Sequence, residues 1–225
     1  MATRLALDHL VIAARTLAEG LDWCDATLGI RPSAGGQHVM MGTHNRVFDV
    51  SSASFPRSYA EIIAIDPSLP VPGRARWFDL DDASLQAQLR HGPQLVHWVA
   101  RCDALDIARD AMLAAGADCG EVMQAERVTP HGLLRWRITV RADGRRALGG
   151  AAPALIEWGE AHPTDHLERS GVQLESMCLG SADDALMALL PTVIQRDMAA
   201  AAAPIRVVLS GPRGRVTLSS NPEKD

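Results

Sequence analysis

The chain is short of everything that would anchor, thread or cross-link it. Its longest apolar runs contain far fewer than the roughly 18 residues read as a membrane span, and Met1-Ala2-Thr3-Arg4 leads into a strand without the long hydrophobic region of a signal peptide. The expectation is a cytoplasmic protein with no membrane partner. There is no block of Lys or Arg: cationic and acidic residues are interspersed and the net charge is −5. Nucleic acid is therefore not an expected partner. Cys24, Cys102, Cys119 and Cys178 form no CxxC pair, which argues against a zinc knuckle or disulfide and for reduced, mostly buried thiols. Neither a P-loop glycine pattern nor a nucleophile elbow occurs.

What is present is apolar residues in a repeating order. They make up 47% of 225 residues, ample for a core and suited to two small modules that share it. Three times the chain runs strand, cap, helix. Residues 5–14 read as a strand, Thr16-Leu17-Ala18-Glu19 as a capping box, and Leu17, Leu21, Cys24 and Leu28 as one helix face ended by Gly29. Residues 95–102 repeat the strand, with Asp103 as N-cap and Leu105, Ala108 and Met112 as the stripe of a helix stopping at Gly116. Residues 174–179 and Ser181-Ala182-Asp183-Asp184 open a third pass, whose helix carries Leu186, Leu189 and Leu190. After each of the first two helices, alternation and turns predict three more strands. The expected organisation is a βαβββ module over 1–66, a linker with a short helix capped near Asp82 over 67–94, and a second βαβββ module over 95–160. A partial third module (βαββ) and a frayed tail occupy 161–225.

Each module has a histidine in its first strand and a glutamate in its last: His9, Glu61, His97 and Glu157. Strand alternation places His9 with Leu7 and Val11, His97 with Leu95 and Val99, Glu61 with Tyr59 and Ile63, and Glu157 with Leu155. A buried unpaired carboxylate costs several kcal/mol, so two in matching strands call for a cation or hydrogen-bond partners. Imidazole and carboxylate together suit Zn, Ni, Co, Mn or Fe(II). The rival account of the glutamates is a cross-strand pair with Arg4, Arg135 or Arg137. His38, His44 and Asn45 are candidates to line the cavity mouth and touch substrate, though turn chemistry explains Asn45 equally well. Trp98 and Trp158, next to the ligand positions, are expected to face away into the core. His162 and His166 have metal-like spacing but fall in a loop.

The paired plan, opened by Leu7-Asp8-His9-Leu10-Val11 and closed in its first half by Tyr59-Ala60-Glu61-Ile62-Ile63-Ala64-Ile65-Asp66, resembles the vicinal oxygen chelate superfamily. Gly35-Gly36-Gln37-His38 and Gly42-Thr43-His44-Asn45 are similar to motifs of its glyoxalase-like-domain branch. The resemblance implies an α+β fold in which paired βαβββ modules form curved mixed sheets around a cavity. In glyoxalase I enzymes the first and last strands of each half supply His or Gln and Glu to one metal. Carried over by position, these are His9, Glu61, His97 and Glu157. The implied function is a metal-dependent lyase or isomerase of a small oxygen-chelating metabolite, with Glu61 or Glu157 as general base. Two alternatives stay open: a metal-free small-molecule binding protein, and an extradiol-type dioxygenase on two His and one carboxylate. The sequence leaves open whether the halves pair within one chain or across a homodimer.

Overall fold

The computed structural model describes residues 4–180, 182–199 and 203–220. Ser181 of the third cap, the expected tail at 221–225 and the first three residues lie outside these. The first module is β1 (Ala6–Ala13), α1 (Leu17–Trp23), β2 (Ser33–His38), β3 (Thr43–Asp49) and β4 (Tyr59–Ile65). A connecting segment carries α2 (Ala83–Gln88), N-capped by Asp82, whose carboxylate accepts from the Ser84 and Leu85 amides. The second module is β5 (Gln94–Arg101), α3 (Leu105–Ala114), β6 (Glu121–Thr129), β7 (Gly132–Val140) and β8 (Ala154–Trp158).

The eight strands form one sheet in the order β2-β3-β4-β1-β5-β8-β7-β6. β1 pairs in parallel with β4, and β5 in parallel with β8. The two modules join within this one chain through an antiparallel β1–β5 pair in which Val11 faces His97 and His9 faces Val99. The sheet curves until it is nearly closed, with a cavity and α2 on its inner side and α1 and α3 outside. Burial divides accordingly. Leu10, Ile12, Trp98, Ala100 and Leu155 belong to an outer cluster that includes Leu105, Ala108 and Met112 of α3. Val11, Ile63, Val99, Ile138 and Ile156 belong to an inner one.

The third pass is larger than the expected βαββ. β9 (Gln173–Leu179), α4 (Asp184–Leu189), the short β10 (Ile194–Arg196), β11 (Ile205–Gly211) and β12 (Gly214–Ser219) make a second sheet in the order β10-β9-β11-β12. Leu174, Met177, Leu179, Val207 and Leu209 pack in the outer cluster, so this sheet covers the shared spine of the first. Two caps differ from expectation. Thr16 accepts the Glu19 amide, but the Glu19 carboxylate turns to Arg15 instead of closing the capping box. Ala104, not Asp103, is the N-cap of α3 and makes no side-chain bond. Three of the cysteine thiols, those of Cys24, Cys102 and Cys119, are buried and unpaired, and burial pushes each up to about 12. No described helix is long and apolar enough to cross a membrane.

Candidate functional site

A β-bulge lies between Leu7 and His9 where β1 meets β5. The extra residue shifts the side-chain alternation, so Leu7 packs in the outer cluster while His9 turns to the cavity with Val11. Asp8, within the bulge, is fully buried. His9 Nδ1 meets its Oδ1 at 2.7 Å, and His162 Nε2 and Trp158 Nε1 meet its Oδ2 at 2.9 and 3.0 Å. Burial by itself raises this carboxyl, but the hydrogen bonds from His162 and His9 outweigh it and hold Asp8 well below the usual carboxylate range. An ionised carboxylate only accepts, so both imidazole nitrogens that face it carry protons. The other His9 nitrogen, Nε2, is turned to the cleft. His162 is left with Nδ1 as acceptor, and there it takes the Thr164 amide at 3.2 Å, capping the turn Pro163–Asp165.

His9 Nε2 stands 3.8 Å from Glu61 Oε1. Asn45 Nδ2 donates to Glu61 Oε2 at 2.7 Å, and Asn45 Oδ1 accepts the Gly36 amide at 2.9 Å. Gly35 is required by this closeness: a Cβ there would lie 2.2 Å from the Asn45 carbonyl oxygen. The Tyr59 ring stacks on His9 at 4.7 Å and holds it in plane. Burial, then the charges of Asp8 and Glu61, push the Tyr59 phenol well up, so it stays protonated. Trp77, Phe78, Arg127 and Trp136 complete a cleft of about 50 Å³ over this floor. The cleft opens past Trp136 and Trp158 into a groove of about 780 Å³ that Met40, Met41 and Met123 also line.

The glyoxalase-like domain family matches residues 7–193 of the chain. The chain belongs to that family. It is a member of the vicinal oxygen chelate superfamily, in which divalent metals are common. A hypothetical protein from Staphylococcus aureus has a similar structure at TM-score 0.56 and 12% identity, covering 96% of this chain and 86% of that one. Methylmalonyl-CoA epimerase from Mycobacterium tuberculosis aligns at TM-score 0.40 and 17% identity, covering 71% and 91%. No curated protein matches.

This glyoxalase-like chain departs from the four-ligand expectation in its second half. Glu61 lies opposite Val11, two residues beyond His9; the residue opposite Val99, two beyond His97, is Ala154. Glu157 comes three residues after Ala154, and an odd offset in a strand turns a side chain to the other face. Glu157 does lie with Leu155, but on the outer side, where its Oε2 accepts from Arg137 Nη1 at 2.8 Å and Arg137 also reaches Asp106 of α3. The cross-strand pair is thus the correct account of Glu157. His97 faces inward, yet its Nε2 accepts the Ala154 amide at 3.1 Å. Burial, then Arg146 and His9, push its pKa well down, leaving a neutral ring whose Nδ1 has no partner. Among the described residues no group of three or more His, Cys, Asp or Glu is arranged to hold a metal ion. His9 and Glu61 offer two donors; the residues present do not fit a four-ligand centre.

The remaining candidates divide. Asn45 and His38 line the cleft. His38 Nδ1 lies 3.1 Å from Thr43 Oγ1, and burial, then Arg127 and His9, push its pKa down to about 3. His44 alternates away and sits 3.3 Å from Asp66. Trp98 fills the outer core, as expected, donating to the Ala151 carbonyl. Trp158 faces the cavity because its neighbour Glu157 faces out. His162 is buried on Asp8, while His166 stacks on His131 at 4.2 Å. The connecting segment supplies the wall residues Trp77 and Phe78, which no periodicity announced. Asp8 was also missed; the signal was a carboxylate directly beside a histidine in an otherwise apolar strand.

Proposed function

We propose that the protein is a small-molecule enzyme of proton transfer at a carbon next to a carbonyl, within the lyase and isomerase chemistry of the sequence expectation. The observation that carries the reading is the buried Asp8–His9 pair, with the free Nε2 directed toward Glu61 in the cleft. His9 Nε2 takes the proton from the carbon, and the C–H electron pair moves into the carbonyl as an enolate. Asp8 and Glu61 flank the resulting imidazolium and stabilise its charge; His9 releases its proton to solvent and the enolate takes one from solvent on its opposite face, which inverts the carbon. No co-reactant is needed for an isomerisation written this way. A positioned base of this type contributes about 10²–10⁴-fold.

The test is hydrogen–deuterium exchange at such carbons in D₂O, followed by proton NMR across a panel of 2-oxo acids, 2-hydroxy ketones and acyl thioesters. At least one compound should exchange with the wild type and lose that exchange in both His9→Ala and Glu61→Gln. Exchange that survives in both variants, or none across the panel, overturns the reading. The apolar groove beside Trp136 and Trp158 favours a second reading, a binding protein without chemistry. Saturable binding with no exchange would select it.

A further inference from the structure

Arg127 crosses the open seam of the curved sheet. It stands on β6, at one edge, and its guanidinium lies against Gly36 of β2, at the other: a Cβ at Gly36 would be 2.4 Å from Arg127 Nη1. Its side chain lines the cleft with His9, Tyr59 and Glu61. Among the described residues it makes no side-chain hydrogen bond or ion pair, and its Nε and Nη1 are buried with no partner. Arg57, Arg76, Arg137, Arg141 and Arg146, by contrast, are each held by an aspartate or glutamate. Leaving buried charged donors empty costs more than a neutral group would, which makes them a strong receptor for an anion.

We propose that Arg127 is the anchor for a substrate carboxylate, and that the substrate is an acid with an apolar body. Two spaces of different size and chemistry argue for the second part. The cleft under Arg127, about 50 Å³, has room for only a few non-hydrogen atoms, enough for a carboxylate and the carbon beside it. The groove of about 780 Å³ presents Met40, Met41, Met123, Trp136 and Trp158, with charged residues such as Glu126 and Arg135 also in its lining, and this apolar surface suits an aryl or branched aliphatic remainder. With the carboxylate on Arg127, the adjoining carbon falls on the side of the cleft that holds His9 and Glu61. The proposal rests on the cleft being the substrate site; it does not depend on which reaction follows.

Matched ligands test it on the full chain: phenylacetate and phenylpyruvate against phenylacetamide, with inorganic phosphate as the competing anion, by calorimetric titration. The carboxylates should bind the wild type, the amide about 10- to 100-fold more weakly, and phosphate should not compete. Arg127→Met should erase the preference for carboxylate over amide while leaving amide binding unchanged. Gly36→Ala keeps the arginine but pushes the guanidinium aside, and should weaken carboxylate binding in a protein of normal melting temperature. Equal binding of acid and amide, an Arg127→Met protein that still prefers the acid, competition by phosphate, or no binding of either carboxylate would each overturn it. Arg127-dependent carboxylate binding without any exchange would instead strike at the reaction alone.

Discussion

In the first half of the curved sheet, His9 and Glu61 face one cavity with 3.8 Å between them; in the second, His97 and Glu157 stand on opposite faces of the same sheet. The residue types and their order along the chain are alike. What differs is spacing: Ala154 occupies the place that corresponds to Glu61, and the displaced glutamate became the partner of Arg137 near α3. The lesson is that a repeat of elements preserves the fold without preserving the site, because one odd step in a strand changes its face while leaving its pairing intact. The first half holds its pair with Asp8, Asn45 and Tyr59. Through its tie to the Ala154 amide, the second half has turned its histidine into backbone support at the start of β8.

The strongest way to break the comparison is to remove what distinguishes the first half. Asp8→Ala leaves the His9, His162 and Trp158 donors buried without their acceptor, and should cost about 3–5 kcal/mol in urea unfolding. A loss under about 1 kcal/mol would mean that the bulge residue is ornamental. The same carboxyl predicts a pH effect of known sign. Its folded pKa is depressed, so its contribution is complete above the unfolded value, 3.8, and is lost as pH falls below that. The wild type should therefore lose stability below about pH 4 more steeply than a folded Asp8→Asn protein, and equal slopes would contradict the assignment.

His97→Ala should have a middling effect. It orphans the Ala154 amide and opens a small void, about 2–4 kcal/mol together, with zinc binding by calorimetry no weaker than in the wild type. His97→Ala protein that loses bound zinc would restore the four-ligand centre. The smallest effect belongs to Glu157→Gln. Both members of its ion pair with Arg137 are partly solvated, so stability should change by under about 1 kcal/mol and deuterium exchange not at all. Exchange that falls in Glu157→Gln as it does in Glu61→Gln would make the halves equivalent after all.

Much of the architecture could be read directly. The apolar stripe of α3, the alternating strands and the Asp82 cap follow local rules of periodicity and turn chemistry, and the structure contains each of them; in and just after α1, Leu17, Cys24 and Leu28 reach the core, while Gly20 is buried in place of Leu21. The site was legible in part. His9, Glu61 and Asn45 meet in the cleft, whereas the outward turn of Glu157 is not legible, because alternation gives two faces without saying which is inside. Arg127 was invisible for a related reason: in sequence it is one more arginine on a strand, and only closure of the sheet sets it against Gly36.

By itself, then, the sequence determined which segments are strands and helices, that they recur, and which strands carry histidine or carboxylate, since those properties depend on neighbours a few residues away. Tertiary structure decided the bulge at Asp8, the inward turn of Trp158, the outward turn of Glu157 and the arrival of His162 on Asp8, 154 positions earlier in the chain. These depend on register between strands far apart in the chain, and a shift of one residue there exchanges the faces without altering the local pattern of either strand.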